Sequence, residues 1–227
     1  MNVKKNPHNP TQTKVLIVDD HPILREGLST LINGQSDLMV CGESENGKEA
    51  LAAVKALKPD LAVVDISMKG MNGIELIKRI RALDNKCHVV VLSMHEESVY
   101  AERALRAGAR SYVMKQEVPG SVLQAIRRVM AGEIWVSEAM ANRLISNIAM
   151  DTEIAPSVSL LSNRELEVFT LIGRGDGPRD IAEELSISIR TVDSHREHIK
   201  KKLNLKNIRE LIHYACAWVK DESDGQL

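Results

Sequence analysis

Val15-Leu16-Ile17-Val18-Asp19-Asp20 sets the architecture of the first half of the chain: four aliphatic residues in unbroken succession, stopping on two carboxylates. A continuous apolar run is how a strand buried on both faces reads, as in a parallel sheet; a half-exposed strand alternates instead. The pattern recurs along the chain. Leu61-Ala62-Val63-Val64 stops on Asp65, Val89-Val90-Val91-Leu92 on Ser93, and Tyr112-Val113-Met114 on Lys115, while Leu38-Met39-Val40-Cys41 is a weaker run. Helical patterns fill the intervals, such as Ile74, Ile77 and Ile80 on one face. Five strand-helix units predict a doubly wound α/β domain with a five-stranded parallel sheet over residues 14–132.

The chain has 227 residues, and at ~150 residues per domain that predicts two domains. Lys and Arg total 30 against 31 Asp and Glu, a net charge of -1. This excludes a uniformly basic nucleic-acid coat and a polyacidic tail protein, but leaves room for a local basic patch. An apolar fraction of 44% excludes disorder over most of the chain. Aromatics at 3% predict aliphatic cores and leave little for stacking on single-stranded nucleic acid. Cys41, Cys87 and Cys216 are far apart, form no CxxC pair, and read as buried or incidental thiols in a reducing compartment.

No apolar run approaches the ~20 residues of a membrane span. Residues 1–13 are polar, carry Pro7 and Pro10, and read as a flexible tail without a signal-peptide core, so a cytoplasmic location is expected. Past Gly132 the strand signal stops. Ser137 reads as the N-cap of a helix over 137–149, and the small polar residues around Pro156 read as a linker, so 133–159 form a linker with a helix. Residues 160–220 are helical throughout and predict a second, smaller all-α domain.

In an open parallel sheet, ligands bind beyond the carboxyl ends of the strands. The residues that directly follow the apolar runs are Asp19 and Asp20, Asp65, Ser93 and Lys115. Three carboxylates in one crevice repel each other unless a cation sits among them. Their hard oxygen ligands suit Mg2+, which keeps waters and accepts phosphate oxygens. A lone Lys beside that cation suits a phosphoryl group, and a Ser hydroxyl adds a hydrogen bond. The simplest place for the phosphoryl group is one of the carboxylates.

Val-Asp-Asp-His-Pro (18–22), Asp65 with Gly70-Met71-Asn72-Gly73 behind it, Leu-Ser-Met-His (92–95) and Tyr-Val-Met-Lys (112–115) resemble a two-component response-regulator receiver domain over about residues 13–132. The resemblance implies that Asp65 is the phosphoacceptor. It implies that Asp19, Asp20, Asp65 and the main-chain carbonyl of Ser67 bind Mg2+. Ser93 and Lys115 would contact phosphoryl oxygens, and Tyr112 would be the aromatic switch residue. Lys69 departs from the family's usual Pro, which loosens that loop and puts a cation near the site. His95 stands where it can influence hydrolysis of the acyl phosphate or be an ordinary surface residue.

In the second half, Ser162-Asn163-Arg164-Glu165 has capping-box spacing, and Leu166, Phe169 and Ile172 follow on one face. Gly173 and Gly175 read as the end of that helix. Gly177-Pro178 gives an N-cap followed by Pro at the first helical position of a short helix, buried by Ile181, Ala182 and Leu185. Ser186-Ile187-Ser188 turns the chain, and Ser188 caps a longer helix with Ile189, Val192, Ile199 and Leu203 inward. Residues 190–206 hold six basic residues against two acidic, a local +4, although residues 157–227 sum to -1. A short helix, a tight turn and a longer helix with a basic tail is the helix-turn-helix plan, its second helix suited to the major groove.

Leu161 to Val168, Asp180-Ile181-Ala182-Glu183-Glu184-Leu185, Thr191-Val192-Asp193-Ser194-His195 and Lys202-Leu203 resemble the LuxR-type helix-turn-helix. With the receiver in front, the whole chain looks like a NarL/FixJ-family response regulator. On this resemblance Arg190, Thr191, Asp193, Ser194 and Glu197 face the groove, and Arg196, Lys200 and Lys201 face phosphates. Asp193 stands where many members have Lys, and Glu197 where some do; acidic groups there repel phosphates but accept from cytosine amino groups. Gly177-Pro178 replaces a frequent Ser-Asn.

The expected function is a DNA-binding transcriptional regulator switched when a sensor histidine kinase phosphorylates Asp65, dimeric when phosphorylated and bound to paired half-sites. Nonspecific DNA binding is expected to be weak, given the near-neutral chain. Two other readings share the same residues. One is a phosphorylation-gated protein-interaction module; the other is a Mg2+-dependent phosphohydrolase, disfavoured because Asp65 is followed by Ile66 and Ser67 rather than by an Asp-x-Asp pattern.

Overall fold

A computed structural model describes residues 12–68, 71–94, 97–117, 120–149 and 158–224. Two compact units divide the chain: Met1–Glu96 with Arg103–Val136, and Glu97–Glu102 with Ser137–Leu227. The tail expected over 1–13, the loop residue Lys69, His95 and the segment around Pro156 fall largely or wholly outside the described residues.

The first unit holds a parallel sheet of β1 (Thr13–Val18), β2 (Leu38–Ser44), β3 (Leu61–Asp65), β4 (His88–Ser93) and β5 (Ser111–Met114) in the order β2-β1-β3-β4-β5. Helices α1 (Pro22–Asn33), α2 (Gly47–Leu57), α3 (Gly73–Leu83), α4 (Glu97–Ala107) and α5 (Gly120–Met130) follow the strands in turn. Every residue of β3 is buried and Val15 to Val18 are fully so, which is why their runs are continuous rather than alternating. Val15, Ile17, Val63, Val90 and Val113 pack with Leu28, Ile32, Val122 and Ile126 in one aliphatic core. Trp135 pairs in parallel with Ser111, donates its N–H to the Arg110 carbonyl at 2.9 Å and packs on this core. Residues 133–136 therefore belong with the first unit's sheet. β1 pairs with β2 on one side and β3 on the other. The chain reverses direction across the sheet between them, and a crevice opens at that switch point.

The second unit contains α6 (Glu138–Ala149), α7 (Asn163–Arg174), α8 (Pro178–Glu184), α9 (Ile189–Lys202) and α10 (Ile208–Asp224). Ser137 caps α6 through its hydroxyl, which accepts from the Met140 N–H at 3.1 Å. α7 is the central helix, buried from Glu165 to Ile172. The low aromatic content pointed to aliphatic cores throughout, and here the expectation fails: Phe169 lies 5.8 Å from the ring of Tyr214 and 5.5 Å from that of Trp218. A chain-wide percentage hides such clustering, since three rings are enough for the core of so small a unit. Among the described residues no helix is long and apolar enough to cross a membrane. Of the cysteines, Cys87 is buried, Cys41 half-buried and Cys216 exposed, all as free thiols.

Candidate functional site

Four strands of the first unit deliver the expected polar groups at their carboxyl ends. Asp19 follows β1, Asp65 and Ser93 are the last residues of β3 and β4, and Lys115 follows β5. The structure brings three of these into contact: Lys115 Nζ lies 2.7 Å from Asp65 Oδ2 and 2.7 Å from Asp19 Oδ2. Both carboxylates are 1% exposed. Asp20 is only part-buried, with its Oδ1 3.0 Å from His21 Nδ1. His21 Nδ1 is also 3.1 Å from Asp19 Oδ1, which accepts the His21 backbone N–H at 2.8 Å as well.

Burial pushes the Asp65 carboxyl above its usual range, and the Asp19 charge adds to this, against the pull of Lys115 and the Ser67 N–H. Burial opposes the charged form of Lys115 too, yet Asp65 and Asp19 outweigh it and hold its pKa up. The two directions agree physically, because one ammonium faces two carboxylates whereas each carboxylate has half of an ammonium.

Close packing fixes Ser67 and the start of α3 against the end of β3. Ser67 N–H donates to Asp65 Oδ1 at 2.8 Å, and Asn72 Oδ1 caps α3 by accepting the Ile74 N–H at 2.8 Å. A Cβ on Gly73 would fall 2.3 Å from Ile66 Cα and 2.7 Å from the Asp65 carbonyl oxygen, so only glycine lets α3 begin this near the strand end. Ser93 and Tyr112 are both buried, on neighbouring strands. An apolar cleft of about 790 Å³ opens beside Lys115, lined by His21, Ile23, Leu24, Gly27, Leu31 and Met94.

Asp19, Asp20 and Asp65, together with His21, place one ligand atom each within 4.8 Å of one another, which suits a metal ion. Sequence reasoning passed over His21. Its adjacency to the Asp pair was visible, but the turn of an imidazole back onto two carboxylates was not.

In the second unit, Ser162 and Glu165 form the expected capping box, with Ser162 N–H donating to Glu165 Oε2 at 2.7 Å. Gly175 ends α7 in the left-handed region at φ 99°. Gly173 does not end the helix. It lies within α7, where a Cβ would meet the Ala215 carbonyl oxygen at 2.5 Å, so its role is the close approach of α10. Gly177 N–H donates to Asp180 Oδ2 at 3.0 Å with Pro178 next, and Ser188 Oγ accepts the Thr191 N–H at 3.1 Å to start α9.

Val192 and Ile199 are fully buried as expected, but Ile189 is 44% exposed. It opens the helix, where no neighbouring turn covers it. Arg190, Asp193, Ser194, Glu197 and Lys201 are exposed, and Thr191, Arg196 and Lys200 are half-buried. Thr191 Oγ1 lies 2.8 Å from Ser188 Oγ, and Ser194 Oγ donates to the Arg190 carbonyl at 3.0 Å.

A carboxylate pair bridged by Lys at the switch point of a five-stranded parallel sheet, on one chain with a helix-turn-helix, defines a phosphorylation-type receiver joined to a DNA-binding output unit. Residues 15–127 match the response regulator receiver domain and residues 159–215 match the luxR family of bacterial regulatory proteins. The oxygen regulatory protein NreC of Staphylococcus aureus (strain MRSA252) is 36% identical over 208 residues, covering 89% of this chain and 96% of NreC. RcsB from Salmonella enterica serovar Typhimurium, bound to promoter P1flhDC in the presence of phosphomimetic BeF3-, superposes with a TM-score of 0.61 at 27% identity, over 91% of this chain and 100% of that one. A LuxR-family two-component response regulator from Aurantimonas sp. SI85-9A1 gives 0.57 at 32% identity, over 61% of this chain and 99% of its own. The chain belongs to the NarL/FixJ family of two-component response regulators, with a LuxR-type DNA-binding domain. That family acts through transcription rather than as enzymes, which sets aside the phosphohydrolase reading.

Proposed function

We propose that Asp65 is the phosphoacceptor of this response regulator and that α9 is its groove-reading helix. The observation that carries the first part is Lys115 Nζ at 2.7 Å from both Asp65 and Asp19 in a buried crevice. A carboxylate oxygen of Asp65 attacks the phosphorus of a phosphohistidine on a sensor kinase. The P–N bond breaks as the P–O bond forms, and the freed imidazole takes up a proton. Asp19, Asp20 and Asp65, with the Ser67 carbonyl, are the residues that would hold Mg2+, and the clustered carboxylate oxygens of the three Asp residues fit that ion. When bound, Mg2+ neutralises charge on the phosphoryl oxygens.

Lys115 moves its ion pair from the Asp65 carboxylate to a phosphoryl oxygen, and Ser93 donates its hydroxyl to another. With Tyr112 as the aromatic switch residue, the added charge biases a two-state receiver. Phosphorylation favours a homodimer on paired half-sites of double-stranded DNA, with Arg190, Thr191, Asp193, Ser194 and Glu197 toward base edges and Arg196, Lys200 and Lys201 toward phosphates. The site of action is the cytoplasm.

Asp65→Asn tests the assignment. Labelling by acetyl phosphate or by a kinase is expected to disappear, and undiminished labelling of the variant sinks it.

A further inference from the structure

The net +4 of residues 190–206 is divided among different tasks by the structure. Lys202 Nζ lies 2.6 Å from Glu165 Oε2, a carboxylate of α7 that is 4% exposed, so this cation is engaged inside its own unit. Lys200 Nζ lies 2.8 Å from Glu197 Oε1, and Arg196 Nη1 lies 3.6 Å from Asp193 Oδ1. In both pairs the cation is the inner member, its side chain 18% exposed, and the carboxylate the outer one, at 62% for Glu197 and 59% for Asp193. Arg190 and Lys201 have no ion pair among the described residues. The outward side of α9 therefore presents two carboxylates with two cations folded beside them, and only two cations outright.

We propose that Asp193 and Glu197 are specificity-determining residues that hold Arg196 and Lys200 in intrahelical pairs and withhold them from DNA, except at a site whose bases give the carboxylates a donor. The inference rests on α9 being the groove helix. On generic duplex a phosphate must displace a carboxylate to gain the cation, while the carboxylate itself is repelled by the backbone. A cytosine N4 amino group at the correct position reverses this. It donates to the carboxylate, and the cation is released to the adjacent phosphate. The acidic departures from a basic groove face thus become a gate on nonspecific affinity. The ordinary carboxylate range is already undercut at Glu197, chiefly by its hydrogen bond from Lys200.

The test uses the full chain, a fluorescent random-sequence duplex and a duplex enriched from a randomised pool, with anisotropy read across salt. Asp193→Asn with Glu197→Gln should tighten random-duplex binding roughly three- to tenfold at low salt and steepen the log-log salt slope by about 1.8, near 0.9 per released cation. The enriched-to-random affinity ratio should fall. Glu197→Gln alone should tighten binding in the parent chain and do so much less in a Lys200→Ala background, where the paired cation is gone and only the carboxylate's own repulsion is relieved. An equal gain without Lys200 overturns the proposal, because the carboxylate then acts only as bulk charge. Arg190→Ala with Lys201→Ala should weaken random-duplex binding. If it does not, the groove-helix reading itself falls, an outcome distinct from failure of the gate.

Discussion

Gly73→Ala puts a methyl carbon 2.3 Å from Ile66 Cα and 2.7 Å from the Asp65 carbonyl oxygen. Carbon atoms pack at about 3.5–4.0 Å, so α3 and the end of β3 must part by about 1.2 Å. Neither obstacle is a side chain that can rotate away; both are backbone, on the two residues that carry and follow the proposed phosphoacceptor. Overpacking of this kind costs about 1–3 kcal/mol, and backbone on both sides argues for the upper end. At about 2 kcal/mol per M urea, 3 kcal/mol lowers the unfolding midpoint by about 1.5 M.

The assay is urea unfolding followed by Trp135 fluorescence in a Trp218→Phe background, so that only the first unit reports. Acetyl-phosphate labelling, run in parallel, should slow as Asp65 is displaced from Lys115. Gly27→Ala is the matched control. A Cβ there meets nothing within 4 Å and the position is inside α1, so a gain of about 0.5–1 kcal/mol is expected. Unchanged unfolding and unchanged labelling of Gly73→Ala would refute the packing argument.

Two further outcomes concern the second unit. The Glu165 carboxyl is pushed up by burial, but the hydrogen bonds from Lys202 and Ser162 outweigh that and hold it below the usual range. A depressed folded value means stability present above the ordinary glutamate range, about 4.3, and lost as pH falls through the folded value. Glu165→Gln should therefore cost about 1–2 kcal/mol at pH 7, discounted because Lys202 is 39% exposed, and should flatten the acid limb of the Trp218 unfolding midpoint plotted against pH. An acid limb as steep as the parent's contradicts it. Phe169→Ala removes the ring between Tyr214 and Trp218 and should cost about 3–5 kcal/mol. Asp65 labelling should persist while DNA binding is lost, and loss of both would show that the units do not fold independently.

Much of this was legible in the chain because the relevant physics is local. A strand buried on both faces must be apolar at every residue, so Leu61 to Val64 announced itself, and the residue that ends such a run is placed at the crevice by the sheet alone. Ser162 with Glu165, Ser188, and Pro178 after Gly177 are cap signals that act within one turn, and each acts where the spacing put it. Gly173 misled for the same reason. A glycine near a helix end reads as a stop, and only the approach of Ala215, 42 positions along the chain, gives it another role.

Hydrophobic periodicity and capping are properties of neighbours in the chain, so the two-unit plan, the parallel sheet and the set of groups at its carboxyl edge could all be read from the residues in order. Which charges meet is settled by packing in three dimensions. Lys115 joins Asp65 across 50 positions and Asp19 across 96, His21 folds back on two carboxylates, and Lys202 is drawn to Glu165 of another helix. Coulombic partners are chosen by distance in space, and a count along the chain, such as the +4 of residues 190–206, sums charges without regard to that distance.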